Sequence, residues 1–230
     1  MSVVAILLCA GRGERLGADV PKALVPLAGR PLFSWSLETL QRAADVDAIV
    51  VVGPVRPMRE LLAASGLAPV KVVAWTEGGA TRQDSVARGL AAAPQEHAVV
   101  AVHDGARALV PAGVIARAVA AGRAHGAAIA AVPLPDTLKR VEDGAIAGTP
   151  SREGLWCAQT PQVFRRDWLE AAHAAAREAT TDDAALVEAL GHVVHVAPGD
   201  PLNFKITTPA DLALAERWLA AGAGSKQVAP

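Results

Sequence analysis

Near its start the chain sets two cations beside a run of glycines: Cys9-Ala10-Gly11-Arg12-Gly13-Glu14-Arg15-Leu16-Gly17, then Pro21-Lys22. Glycines let backbone N–H groups approach an anion and point at it. Arg15 and Lys22 add the fixed charge that a triphosphate and a pentavalent phosphorus require. Two common phosphate motifs are excluded. A dinucleotide fingerprint needs a third glycine where Leu16 stands, and a P-loop needs Gly-Lys-Ser/Thr where Leu16-Gly17-Ala18 stands.

Further polar clusters follow. Gly78-Gly79-Ala80-Thr81-Arg82-Gln83-Asp84-Ser85 joins a glycine pair to a helix start, and Arg82 and Ser85 are placed to read a base edge. His103-Asp104-Gly105-Ala106-Arg107 closes an apolar run. There Asp104 is a candidate for a magnesium ion or a ribose, and Arg107 for a substrate phosphate. An Asp104–Arg107 cap is the plainer reading. Lys205 lies between Phe204 and Ile206, and a lysine flanked by apolar residues in a strand needs an anionic partner. The six histidines form no HExxH and the cysteines no paired spacing, so zinc is not expected, and no GxSxG elbow is present.

The elements that must position these residues alternate in the manner of parallel βαβ units. Val3–Leu8, Ala48–Val52, Val70–Ala74, Ala98–Val102 and Ala127–Val132 read as strands. The first is apolar throughout, as a strand covered on both faces should be. Pro31–Arg42, Met58–Ala64, Gln83–Ala93 and Ala112–Ala124 read as helices, with Gly66 as a stop. The glycine loop then lies at the carboxyl end of the first strand, where α/β sheets bind phosphates. Pro133–Arg152, with three prolines and two glycines, is expected to project from the sheet, with short strands at Thr137–Val141 and Ala145–Ala147. Trp168–Arg177 and Ala184–Ala189 read as helices, with Asp167 and Asp182 or Asp183 as N-caps. Val193–Val196 and Asn203–Ile206 read as late strands, and Thr208-Pro209 opens a last helix. The tail beyond Ala221 is expected to fray.

The chain has 230 residues, 52% hydrophobic and 20% charged, with a net charge of −1. One domain, 1–230, is expected. The balanced charge speaks against a nucleic-acid partner or a polybasic membrane anchor, and no apolar stretch is long enough to span a bilayer. Cys9 and Cys157 are too few for a disulfide framework. Met1–Ala10 reads as a first strand rather than a leader. A cytoplasmic enzyme is the expectation.

Seven blocks (AGRGERLG with PK, GGATRQDSV, VHDGAR, DTLKR, SREGLWCAQTPQ, TDDA and NFKIT) stand in an order that closely resembles the 2-C-methyl-D-erythritol 4-phosphate cytidylyltransferase family, from Ala10 to about Thr208. The resemblance implies a three-layer, Rossmann-like nucleotidyltransferase fold with a mostly parallel sheet and a projecting β-arm at 133–152. It implies transfer of CMP from CTP to 2-C-methyl-D-erythritol 4-phosphate, with release of pyrophosphate. Arg15 and Lys22 would stabilise the transition state, and Arg152 and Lys205 would position the acceptor. Ala10, Gly11, Gly13, Gly79, Arg82, Ser85, Asp104 and Gly105 would lie at the nucleotide. Asp104, Arg107, Thr137 and Thr160 would lie at the acceptor. Mg²⁺ would arrive mainly on the CTP phosphates, with Asp104 as a candidate ligand. The arm would cross into a partner subunit of a homodimer. One departure is visible: Ala108 stands where relatives commonly carry proline, which should alter loop stiffness without loss of activity. Two alternatives remain open: a sister enzyme acting on ribitol 5-phosphate or another polyol phosphate, and a non-catalytic nucleotide-binding regulator.

Overall fold

A computed structural model describes residues 1–17, 20–177 and 180–222. The chain order is β1 (Val3–Leu8), β2 (Pro26–Leu27), β3 (Arg30–Pro31), α1 (Leu32–Arg42), β4 (Ala48–Val52), α2 (Val55–Ser65), β5 (Val72–Thr76), α3 (Arg82–Ala92) and β6 (Val99–Asp104). It continues with α4 (Ala112–His125), β7 (Ala127–Pro133), β8 (Arg140–Glu142), β9 (Ala145–Gly148), β10 (Trp156–Arg165), α5 (Arg166–Ala175), α6 (Asp183–Ala189), β11 (His195–Pro198) and α7 (Pro209–Ala220).

Seven strands form one sheet in the order β11-β7-β10-β6-β1-β4-β5. Every pairing is parallel except those of β10, which runs antiparallel to both β6 and β7. Alternate residues of β1 feed two cores, as a strand period of two requires. Val3, Ala5 and Leu7 pack with Leu37, Met58 and Ile115 from α1, α2 and α4. Val4, Ile6 and Leu8 pack with Val86, Leu169 and Val187 from α3, α5 and α6. The result is three layers. A third cluster joins Leu27, Leu32, Leu109 and Ile206 to Ala215 of α7, and the buried Ala108 packs here; its backbone N–H forms no hydrogen bond among the described residues.

The chain leaves β1 toward β4 and β5, then returns to place β6 on the other flank of β1. The crevice between the carboxyl ends of β1 and β6 is therefore a topological switch point, where such sheets bind ligands.

Four local expectations are corrected. Helix α2 begins at Val55 rather than Met58, because Pro57 in its first turn gives up an N–H that would lack an intrahelical acceptor anyway. Strand β10 was not foreseen: Pro161 within it argues against a ladder position, but the register shifts between Ala158 and Gln162 and so accommodates it. Asn203–Ile206 forms no strand, and runs irregularly with Ile206 N–H donating to Ala106 O. Asp167 lies inside α5, whose N-cap is Arg165, whereas Asp182 does cap α6 by accepting from Ala185 N–H. Within the projecting segment, β8 and β9 form a separate exposed hairpin that turns through Asp143 and Gly144, both at positive φ. The expected fraying beyond Ala221 concerns residues 223–230, which lie outside the described residues. No helix among the described residues is long and apolar enough to cross a membrane.

Candidate active site

Four loops meet at the switch point. The first follows β1: Lys22 N–H donates to Gly11 O at 3.2 Å, folding the glycine loop back on the lysine. Gly13 sits at φ +79°, and a Cβ there would come 3.0 Å from Lys22 Cβ, so glycine is required twice over. In the second loop Thr81 and Asp84 form a capping box at the start of α3. Ser85 Oγ accepts from Gly79 N–H at 3.0 Å and donates to Thr81 O at 2.9 Å. The third loop is the end of β6, and the fourth is the irregular segment around Lys205.

Together they enclose a cavity of about 330 Å³. Ala10, Gly11 and Lys22 line it from the first loop, Gly79, Arg82 and Ser85 from the second, and Asp104, Gly105 and Lys205 from the last two. A wider groove opens beside it, lined by Arg107, Arg152, Asp136 and Trp156. Lys205 lines both spaces.

Asp104 is the acidic residue on the cavity wall, and both of its oxygens are held. Lys205 Nζ lies 2.7 Å from Oδ2, and Arg82 Nε lies 3.4 Å from Oδ1. Burial pushes this carboxyl up, but the charges of Lys205 and Arg82, the Lys205 hydrogen bond and Arg107 outweigh it. Asp104 is thus held well below the usual carboxylate range and is a permanent anion. Lys22 has no carboxylate within ion-pair distance among the described residues. Burial first, then the like charges of Lys205 and Arg15, bring it down to about 8, although Asp104 and Asp211 pull the other way. Burial also pushes the Cys9 thiol well up, with Asp104 adding to the effect, so it stays protonated. His103 is lowered to about 4, chiefly by burial, and is neutral near pH 7.

Four expected site residues lie elsewhere. Gly13 shapes the turn against Lys22 but lines neither space. Arg15 is exposed on a short 3-10 turn and lines neither space, although its charge reaches Lys22. Thr137 is exposed at the base of the hairpin, also away from both. Thr160, expected beside the acceptor, is buried: its hydroxyl oxygen accepts from Asp104 N–H at 3.0 Å and contacts His103 Nδ1 at 3.1 Å. It therefore holds Asp104 in place. Arg107 gives its Nη groups to Asn203 O (2.7 Å) and Ala158 O (3.1 Å), tying the Lys205 segment to β10. Arg152 donates to Pro135 O across the base of the hairpin.

The sequence reading passed over Arg12, which lines the cavity and has only Glu14, 4.0 Å away, as a partner among the described residues. It also missed Asp183, whose Oδ2 lies 2.8 Å from Arg82 Nη1 and helps keep that guanidinium charged against the opposing effect of burial. Arg12 stood in view inside the glycine loop, and Asp183 inside the TDDA block.

A resident metal does not fit. Among the described residues no three His, Cys, Asp or Glu side chains cluster to hold one, and Asp104 is already engaged by two cations.

A glycine loop after the first strand, the unpaired Lys22 at the switch point and a groove lined by Arg107, Arg152 and Lys205 alongside mark a nucleotidyltransferase. The chain belongs to the family described as IspD, 2-C-methyl-D-erythritol 4-phosphate cytidylyltransferase, whose match spans residues 3–221. The protein of that name from Prochlorococcus marinus (strain MIT 9313) is 47% identical over 222 residues, which cover 94% of this chain and 97% of the relative. That from Nocardia farcinica (strain IFM 10152) is 49% identical over 220 residues, covering 95% and 94%. The crystal structure of the Thermus thermophilus enzyme of the same name matches with a TM-score of 0.77 at 38% identity, over 96% of this chain and 100% of that one. Enzymes of this class generally use divalent cations.

Proposed function

We propose that the chain transfers CMP from CTP to 2-C-methyl-D-erythritol 4-phosphate, forming 4-diphosphocytidyl-2-C-methyl-D-erythritol and pyrophosphate. The observation that carries the reading is Lys22: an unpaired cation at the switch point, set apart from the Asp104–Lys205 pair at the junction with the groove.

The chemistry needs little more than charge and position. A phosphate monoester is already anionic near neutral pH, so its oxygen attacks the α-phosphorus without a general base. The P–O bond to the β-phosphate breaks as the new one forms, and its electron pair leaves on pyrophosphate. The obstacle is anion meeting anion, which preorganised cations and backbone N–H groups relieve. In this reading Lys22, with Arg12 at the mouth, faces the triphosphate, and Arg15 adds its charge from outside the cavity. Ala10, Gly11, Gly79, Ser85 and Gly105 shape the nucleoside cavity. Lys205, Arg107 and Arg152 face the acceptor phosphate, and Asp104 fixes Lys205 between the two substrates. Mg²⁺ is the divalent ion we assign, entering with CTP as part of the substrate.

The chain is read as one domain whose hairpin reaches a second copy. Val141 and Ile146 are exposed on the hairpin, and Thr137 lies outside its own subunit's cavity, which supports an arm-exchanged homodimer. Sedimentation at micromolar concentration checks it: a monomer would end that assignment. The free thiols Cys9 and Cys157 suit the reducing cytoplasm.

The function is tested by pyrophosphate release from MgCTP with methylerythritol phosphate or ribitol 5-phosphate as acceptor. Release with the first alone is expected. Release with ribitol phosphate alone would keep the mechanism and overturn the substrate. Silence with both, despite CTP binding, would favour the regulator.

A further inference from the structure

Behind the cavity a second layer of charge runs back into the protein. Asp183, at the start of α6, is fully buried, and its backbone N–H donates to Gln162 Oε1 at 3.1 Å. Its two carboxylate oxygens face different ways. Oδ2 takes Arg82 Nη1 at 2.8 Å, and Oδ1 takes His173 Nε2, from α5, at 2.9 Å. The imidazole is buried too, and its Nδ1 has no partner.

A carboxylate only accepts, so Nε2 carries the hydrogen that Asp183 Oδ1 takes. The imidazole therefore pins one oxygen of Asp183 and leaves the other to Arg82. Arg82 in turn is gripped more closely from behind, at 2.8 Å, than from the front, where Asp104 lies 3.4 Å away. The guanidinium that walls the nucleotide cavity is thus aimed from a helix that does not line it.

We infer that His173 is a positioning residue of the nucleotide site, acting through Asp183 to hold Arg82 in place for CTP. Arg82 lines the cavity and is absent from the groove wall, so loosening it falls on the nucleotide rather than on the acceptor. Without the imidazole N–H, Oδ1 is stranded in the interior and the carboxylate turns to find another donor. Arg82 then loses its rear anchor.

This inference rests on the reading of the cavity as the CTP site, and the wild-type enzyme tests that reading separately through saturation by CTP. The experiment compares steady-state kinetics of His173→Leu and His173→Gln, with thermal melts alongside. In His173→Leu the KM for CTP should rise roughly ten- to a hundredfold while the acceptor KM stays within about twofold, matching loss of one hydrogen bond to a charged group. In His173→Gln, whose amide nitrogen reaches the place of Nε2, the KM for CTP should return to near wild type. A merely structural histidine would lower the melting temperature and the active fraction and leave the KM for CTP unmoved, and that result overturns the inference. So does a glutamine variant as impaired as the leucine one. Should His173→Leu fail to fold, Asp183→Asn, which keeps the shape and removes the charge Arg82 needs, carries the same test. An unchanged KM for CTP there overturns the inference equally.

Discussion

If Lys22 supplies transition-state charge, activity must fall as that charge is lost, and the fall should come at an unusually low pH for a lysine. Its ammonium titrates at about 8, because burial and the neighbouring charges of Lys205 and Arg15 disfavour the protonated form. The sign is fixed: the protonated form is the active one, present below pH 8 and lost above it. The free enzyme's ionisation governs kcat/KM for CTP, so that parameter should be level near pH 7 and fall about tenfold per unit well above pH 8. By pH 9 only about a tenth of the wild-type value should remain. Bound triphosphate restores the proton by its own charge, so the limb in kcat should lie higher. Substrate phosphates ionise near pH ~6 and shape the acid side alone. The assay is initial-rate pyrophosphate release from pH 6.5 to 9.5 at constant ionic strength. Lys22→Arg keeps the charge on a group that does not titrate here, so its alkaline limb should vanish even if its rate is lower. A limb of the same midpoint in Lys22→Arg, or no limb in the wild type, refutes the reasoning.

Other perturbations follow from single contacts. Thr160→Val keeps the shape and leaves the buried Asp104 N–H without its acceptor; chemical denaturation should show a loss of about 1–3 kcal/mol. Gly79→Ala would bring a Cβ to 2.2 Å from Asp84 Cβ. The start of α3 must shift, and the KM for CTP should rise at least ~10-fold, a cost in the range of overpacking. Arg12→Ala should weaken pyrophosphate product inhibition roughly three- to tenfold by removing one charge-assisted contact. Its stability should change by less than ~0.5 kcal/mol, since the side chain is exposed.

The elements that carry the site were readable because their signals are local. Val3–Leu8 announces a doubly covered strand by unbroken apolarity, and Thr208-Pro209 announces a helix by capping chemistry; both stand as read. The glycine loop, Gly79 and Asp104 were found because each follows or ends an apolar run at a strand end, and Lys205 because it stands between Phe204 and Ile206, although that segment is not a strand. What escaped depends on contacts between distant residues. Thr160 looks like a ligand residue in WCAQTPQ, and only the pairing of β10 with β6 turns its hydroxyl toward Asp104. Asp183 and Arg82 meet across a sequence separation of 101 residues, which no periodicity encodes. Strand β10 was hidden by Pro161, a residue that penalises ladder positions unless the register gives way, as it does here.

Direct attack by the acceptor phosphate is the central claim: Cys9 is held protonated, His103 is buried beneath Thr160, and Lys22 is charged below about pH 8. The measurement that tests this most directly is the stereochemical course at the α-phosphorus, followed with chiral α-thio-CTP and phosphorus NMR of the product. A single in-line displacement predicts inversion. Retention would mean two displacements through a nucleotidyl-enzyme, and would contradict the mechanism derived from this site.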